Sequence, residues 1–159
     1  MFNRIFVPLD GSQLAEKALS YAVNLAHQND AHIYLGWVIQ MLRPGAGPEP
    51  YLIPMDFSTA DENRRAADYL SRISTEMEQK SIPCTYQVSE NFSISAGIIQ
   101  MASLVQADVI IKTSYGRLGI NRWFNGNVAA EILQHAPCPL LLIKISDSDK
   151  DDDNENAGE

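Results

Sequence analysis

Apolar residues recur along the chain with two alternating periods. Short apolar runs stand at Arg4–Leu9, His32–Ile39, Asp108–Lys112 and Leu140–Lys144, and Cys84–Val88 is a partly alternating strand that Pro83 marks as a strand start or sheet edge. Continuous apolar runs of this length are expected of parallel strands buried on both faces. Between them the spacing turns helical. Leu14, Ala15, Ala18, Leu19, Ala22, Leu25 and Ala26 form one stripe, and Ala66, Ala67, Leu70, Ile73 and Met77 another. A third segment carries Ile98, Ile99, Met101 and Ala102 behind a capping serine, Ser93 or Ser95. A fourth runs from Asn127 to His135 and is ended by Pro137 and Pro139. Strand and helix alternate throughout, which predicts an open parallel sheet with helices on both faces.

Two stretches break the rhythm. Met41–Phe57 holds four of the eight prolines and two glycines, a long excursion of the kind that forms lids or binding loops. The loop after Lys112 carries Gly116, Gly119 and Gly126 with Arg117 and Arg122 before the last helix. Glycines let backbone N–H groups approach an anion closely, and a helix N-terminus favours negative charge, so this loop is a candidate phosphate cradle. The same glycines also serve plain turn geometry. In open α/β sheets ligands sit beyond the carboxyl ends of strands where the strand order reverses. Pro8, Leu9 and Asp10 end the first strand, Thr113 follows the fourth, and the two ends could meet there. Asp10 and Ser12 are in addition good caps for the first helix.

Composition narrows the function. The chain has 159 residues, the size of one domain, and no apolar run long enough to span a bilayer. The start, MFNRIFVPLDGS, reads as a strand and not a signal peptide, so a cytoplasmic protein without membrane partners is expected. Net charge is −8, but residues 147–159 hold seven acids against one lysine and account for −6 of it. The expected division is a folded domain over 1–146 and a disordered acidic tail over 147–159. With no basic stripe in the remainder, nucleic acid is not an expected partner. Cys84 and Cys138 form no CxxC pair and are expected as free thiols, and His27, His32 and His135 have no metal-ligand spacing. Trp37 and Trp123 are expected to pack, with Trp123 and Tyr115 flanking the glycine loop. Lys112 can be drawn either into the cleft or out beside the loop. A Walker loop, a G-x-S-x-G elbow and a G-x-G-x-x-G fingerprint are all missing, and no catalytic set can be assembled.

Three segments, IFVPLDGS, DVIIKTSYGRLGINRWFNGNVAAEIL and HAPCPLLLIK, closely resemble the universal stress protein family, in the right order and over nearly all of residues 2–145. The resemblance implies a Rossmann-like fold of the adenine-nucleotide-hydrolase kind with sheet order 3-2-1-4-5. It also implies a homodimer through the fifth strand, where Leu140, Leu141, Leu142 and Ile143 form an apolar edge that needs cover. Members that bind ATP carry a Gly-x2-Gly-x9-Gly-Ser/Thr loop, whose places fall here on Thr113, Gly116, Gly126 and Asn127. Two of the four depart: Thr113 adds a Cβ, and Asn127 offers an amide for a hydroxyl. The implied nucleotide set is Pro8, Leu9, Asp10, Ser12, Val38, Thr113, Gly116, Arg117, Gly126, Asn127 and Val128. In it Asp10 lies near the ribose or phosphates, Val38 meets the adenine through its backbone, and Arg117 meets an anion. The expected function is a stress-response regulatory module that binds ATP or another adenine nucleotide, with or without Mg²⁺, and is not a turnover enzyme. A nucleotide-free dimeric interaction protein of the same family is the alternative.

Overall fold

The computed structural model describes residues 1–41, 55–114 and 128–144, with 55–59 and 114 described by backbone alone. The elements run β1 Arg4–Pro8, α1 Gln13–Asn29, β2 His32–Gln40, α2 Met55–Gln79, β3 Cys84–Asn91, α3 Ile94–Leu104, β4 Val109–Ser114, α4 Val128–His135 and β5 Leu140–Lys144. The strands form one sheet in the order β3-β2-β1-β4-β5. Every pairing is parallel, with Phe6 registered against Tyr34 on one side and Ile110 on the other.

β1 is the central strand, and its two faces feed two cores. Ile5, Val7 and Leu9 join Ala15, Ala18, Ala22, Leu70, Ile73 and Met77 under α1 and α2. Phe6 joins Val38, Ile98, Met101, Ile110 and Ile132 under α3 and α4. Burial on both sides explains why the strand is apolar without alternation. The alanine stripe of α1 lets that helix lie close on the sheet. Its end is set by Asp30, whose left-handed backbone (φ 53°) turns its N–H back to the Ala26 carbonyl.

Boundaries differ from the sequence reading in three places. α2 starts at Met55 rather than Ser58, so part of the expected excursion is helix; residues 42–54 lie outside the described residues. β3 continues to Asn91 because it pairs with β2 as far as Gln40. β4 continues through Thr113 and Ser114, which pair with Ile143 and Lys144, so Thr113 is a strand residue and not the first residue of a loop. Of the two candidate caps for α3, Ser93 does the work, its Oγ accepting from the Ala96 N–H at 3.3 Å. Both cysteines are free; Cys84 is buried, and burial pushes its thiol up to about 11.

At the amino ends of the strands, Asp108 Oδ2 accepts from the backbone N–H groups of Asn3 and Arg4, each at 2.8 Å. The bond from Arg4 and then that from Asn3 hold the Asp108 carboxyl below the usual aspartate range. A carboxyl depressed by folding stabilises the fold at any pH above its unfolded value and loses that contribution as pH falls through the folded one. Asp108→Asn keeps an oxygen facing both N–H groups but cannot titrate. The stability gap between wild type and this variant is therefore expected to be fully open above about pH 5 and to close below about pH 4. Urea midpoints measured across that range check it, and a gap independent of pH contradicts it.

Candidate functional site

The reversal in strand order lies between β1 and β4, and a cleft opens at their carboxyl ends. Pro8, Leu9, Asp10, Ser12, Ala15, Val38, Ile94, Ile98, Lys112 and Thr113 line it. About 430 Å³ lies between these walls when the open mouth is counted. It is a narrow slot whose walls must part for a ligand as large as a nucleotide.

The slot is built from the β1–α1 turn. Leu9 N–H donates to the Gly36 carbonyl at 2.8 Å, carrying the alignment of β1 on β2 one residue past the strand. The chain then turns at Gly11, whose φ of +81° favours glycine. An added Cβ there would lie 2.7 Å from the Trp37 ring. Trp37 in turn meets Tyr69 of α2 edge-on at 5.4 Å, and the Tyr69 hydroxyl donates to Glu16 Oε1 at 2.8 Å. Burial first, and then the bond to Glu16, raise the pKa of that phenol.

Asp10 Oδ1 accepts from both the N–H (3.0 Å) and the Oγ (2.7 Å) of Ser12. Ser12 Oγ accepts from the Ala15 N–H at 3.1 Å and so caps α1. Of the two jobs expected of these residues the cap is the one formed here: Asp10 Oδ1 is held by Ser12, and among the described residues no hydrogen bond reaches Oδ2. The carboxylate is fixed in direction and keeps one acceptor oxygen for a ligand hydroxyl.

The opposite wall comes from α3. Gly97 allows the approach, since a Cβ on it would come within 2.6 Å of Val38 Cγ1. That contact seats Ile94 and Ile98 beside Val38, giving the slot an apolar side. Ser95, 2% exposed, bonds to both Ser93 and Glu131, so the first turn of α4 is tied to the helix that forms this wall.

Lys112 lies on the α3 side of β4 and lines the slot, which decides between its two sequence-stated orientations. Its Nζ donates to the Thr113 carbonyl at 3.3 Å. Burial lowers its pKa, and the charge of Asp10 works in the opposite direction. Thr113 is 4% exposed, with its Cβ inside the sheet margin.

Of the residues expected at a nucleotide, Pro8, Leu9, Asp10, Ser12, Val38 and Thr113 converge on this cleft. Val128 does not line it and instead packs against the α3/α4 core. Gly116, Arg117, Gly126 and Asn127 lie outside the described residues, as do Tyr115, Gly119, Arg122 and Trp123. Ala15, Ile94 and Ile98 escaped the sequence reading. Gly97 was the signal for the last two, because a glycine inside an otherwise apolar helix marks a close approach.

The fifth strand divides its apolar residues between the two cores and the sheet's edge. β5 pairs only with β4 and is an edge. Ile143, expected on a partner-facing surface, is 7% exposed and belongs to the α1/α2 core, while Leu140 packs on the other core. The pleat puts Leu140 and Leu142 on one face and Leu141 and Ile143 on the other; on each face one residue packs on a core, and its neighbour, Leu142 or Leu141, stays 42% exposed.

The family model for universal stress proteins matches residues 1–144. The chain belongs to the universal stress protein family. A universal stress protein of Methanocaldococcus jannaschii is 24% identical over 155 residues, covering 91% of this chain and 83% of the relative. Among solved structures, UspA from Lactobacillus plantarum superposes with a TM-score of 0.71 at 23% identity, over 89% of this chain and 97% of that one. A universal stress protein family protein from Arabidopsis thaliana, solved with AMP bound, superposes with a TM-score of 0.63 at 17% identity, over 92% and 94%. These likenesses agree with the Rossmann-like fold and the 3-2-1-4-5 order of this universal stress protein.

Proposed function

We propose that this universal stress protein is a regulatory module that binds an adenine nucleotide, AMP or ATP, in the β1/β4 cleft, and that it does not turn the nucleotide over. The observation that carries the reading is the convergence of Asp10, Val38 and Thr113 on one slot at the switch point, with an acceptor oxygen, an apolar wall and a cation around it. AMP bound to the structurally similar Arabidopsis protein supports the ligand class.

In this reading the fixed Asp10 carboxylate accepts from a ribose hydroxyl, and the apolar wall of Val38, Ile94 and Ile98 takes the flat base. For the phosphates the sequence offers Gly116, Arg117, Gly126 and Asn127, since glycine amides and a guanidinium suit an anion. Entry displaces the long, flexible side chain of Lys112. Binding then biases the protein toward the arrangement that holds the nucleotide better, and a partner that distinguishes the two arrangements reads the result. Titration calorimetry with AMP and ATP, with and without Mg²⁺, tests the proposal; absence of heat at millimolar nucleotide counts against it.

The second reading, a nucleotide-free dimeric interaction protein, draws on two observations. Thr113 places a buried Cβ at the sheet margin, and β5 leaves Leu141 and Leu142 half in water on an open edge. An apolar edge of that kind is a template for another chain unless covered. Pairing of β5 with its copy in a second molecule covers it, with or without nucleotide. Sedimentation at micromolar concentration is expected to give a dimer, and Leu141→Lys with Leu142→Lys a monomer; a monomeric wild type removes the dimer from both readings.

A further inference from the structure

We propose that the groove between α3 and the amino half of β3 is a second binding site, built for an uncharged, flat aromatic molecule of one or two rings. The groove exists because α3 crosses the sheet at a slant. Near its start the helix lies close on β2 and β3. A Cβ on Gly97 would fall 2.6 Å from Val38 and 3.3 Å from Asn91, and the Asn91 amide donates to Gln100 Oε1 at 3.4 Å. Toward its end Met101 and Val105 pack with Phe6 of β1 instead. Register sets Phe6, Tyr34 and Thr85 side by side across three strands, and the helix covers only the first of them fully; Thr85 and Gln87 stay exposed. About 190 Å³ opens between these strands and the helix. The groove shares no lining residue with the β1/β4 cleft, so it stands apart from the nucleotide reading.

Charge, size and polarity select the occupant. Among the described residues no charged side chain lines the groove. His32 stands beside it, stacked on Tyr34 at 4.4 Å and hydrogen-bonded through Nε2 to the Thr85 hydroxyl at 2.9 Å. Burial lowers the His32 pKa, so at neutral pH this ring is uncharged as well. An ion would leave water here without a counter-charge to receive it. The volume sets the size: an apolar cavity of roughly 150 Å³ is enough for benzene, so this groove takes one ring or two fused rings and is too small for a nucleotide. Phe6 and Met101 close the floor and Val105 one wall, so water at the bottom lacks the polar partners that would hold it. Its displacement by a ring is favourable. A thioether beside ring edges suits an aromatic body better than an aliphatic one. At the rim the Thr85 hydroxyl is already engaged by His32. The Gln87 side chain has no hydrogen-bond partner among the described residues and offers both a donor and an acceptor, so the ligand carries one polar group at its edge.

The test titrates the full-length wild-type chain, isotope-labelled at nitrogen and at the methionine methyls, with indole near neutral pH and follows it by NMR. Indole is neutral, has two fused rings and carries one N–H. Saturable shifts are expected at the Met101 methyl, the Val105 amide and the Gln87 side-chain amide. Indole-3-acetate, the same rings with a carboxylate, is expected to bind about tenfold or more weakly, because its charge finds no partner. Gln87→Trp, at an exposed strand position, fills the groove from its rim and is expected to weaken indole by a similar factor. Four results overturn the proposal: no saturable shift at millimolar indole, shifts centred on Ile94 and Ile98 that put indole in the β1/β4 cleft, binding of the carboxylate as tight as that of indole, or wild-type affinity in Gln87→Trp.

Discussion

Truncation of Phe6 to alanine is expected to destabilise the domain by about 3–5 kcal/mol, the range for removing a fully buried aromatic ring. Phe6 is 1% exposed and sits at the middle of the central strand. The size of the effect follows from what surrounds the ring. Gly36 on the neighbouring strand has no side chain, and a Cβ there would lie 2.5 Å from Phe6 Cζ and 2.8 Å from Met101 Cε. The ring therefore fills space that no local side chain can reclaim, and truncation leaves a cavity rather than a collapsed core. Urea unfolding measures it. The exposed Tyr86, truncated the same way, is expected to change stability by no more than about 0.5 kcal/mol. Similar losses at the two positions would mean that the α3/α4 core is not organised around this ring.

The second large effect concerns Asp10. Asp10→Ala is expected to weaken AMP binding by roughly 10- to 100-fold, which corresponds to the loss of about 1.5–3 kcal/mol for hydrogen bonds to a charged group. The same substitution removes the acceptor that orients Ser12, so it also costs stability at the start of α1. Ser12→Ala separates the two consequences: it removes the cap, at about 1 kcal/mol, but leaves the carboxylate in the cleft. If Ser12→Ala lowers affinity as much as Asp10→Ala does, the carboxylate acts on the ligand only through the turn and not by direct contact. Calorimetric titration of the three proteins, beside their urea midpoints, decides between these outcomes.

Much of the fold was legible because the two hydrophobic periods are clean. β1 and β4 are too short and too uniformly apolar to be amphipathic helices, and α1 and α2 repeat their alanine and leucine stripes without interruption. Errors fell where a decision rests on pairing rather than on local pattern. Thr113 looks like the start of a loop when read from its neighbours, yet Ile143 across the sheet keeps it in the strand. Asn91 belongs to β3 for the same reason. Which residues of LLLI pack on the two cores could not be read either, since a uniformly apolar run does not reveal which way the pleat points. The turn at Asp10, Gly11 and Ser12 could be read directly, since capping chemistry is local. The α3 wall could not, because the tilt that brings Ile94 and Ile98 over the slot depends on Gly97 meeting Val38 across two elements. The side of the sheet on which Lys112 falls is likewise a matter of register.

The contact between Gly11 and Trp37 bears on how this sequence can drift. The indole occupies the volume that any side chain at position 11 would claim, so the two sites share a single allotment of space. The two positions are nonetheless unequally constrained. An ancestor or descendant could exchange the tryptophan for a smaller ring and keep glycine, because the backbone there asks for glycine on its own account. The reverse order is closed: glycine can be given up only after the ring has gone and the bend beneath it has been rerouted. Lineages of this domain should therefore change position 37 first.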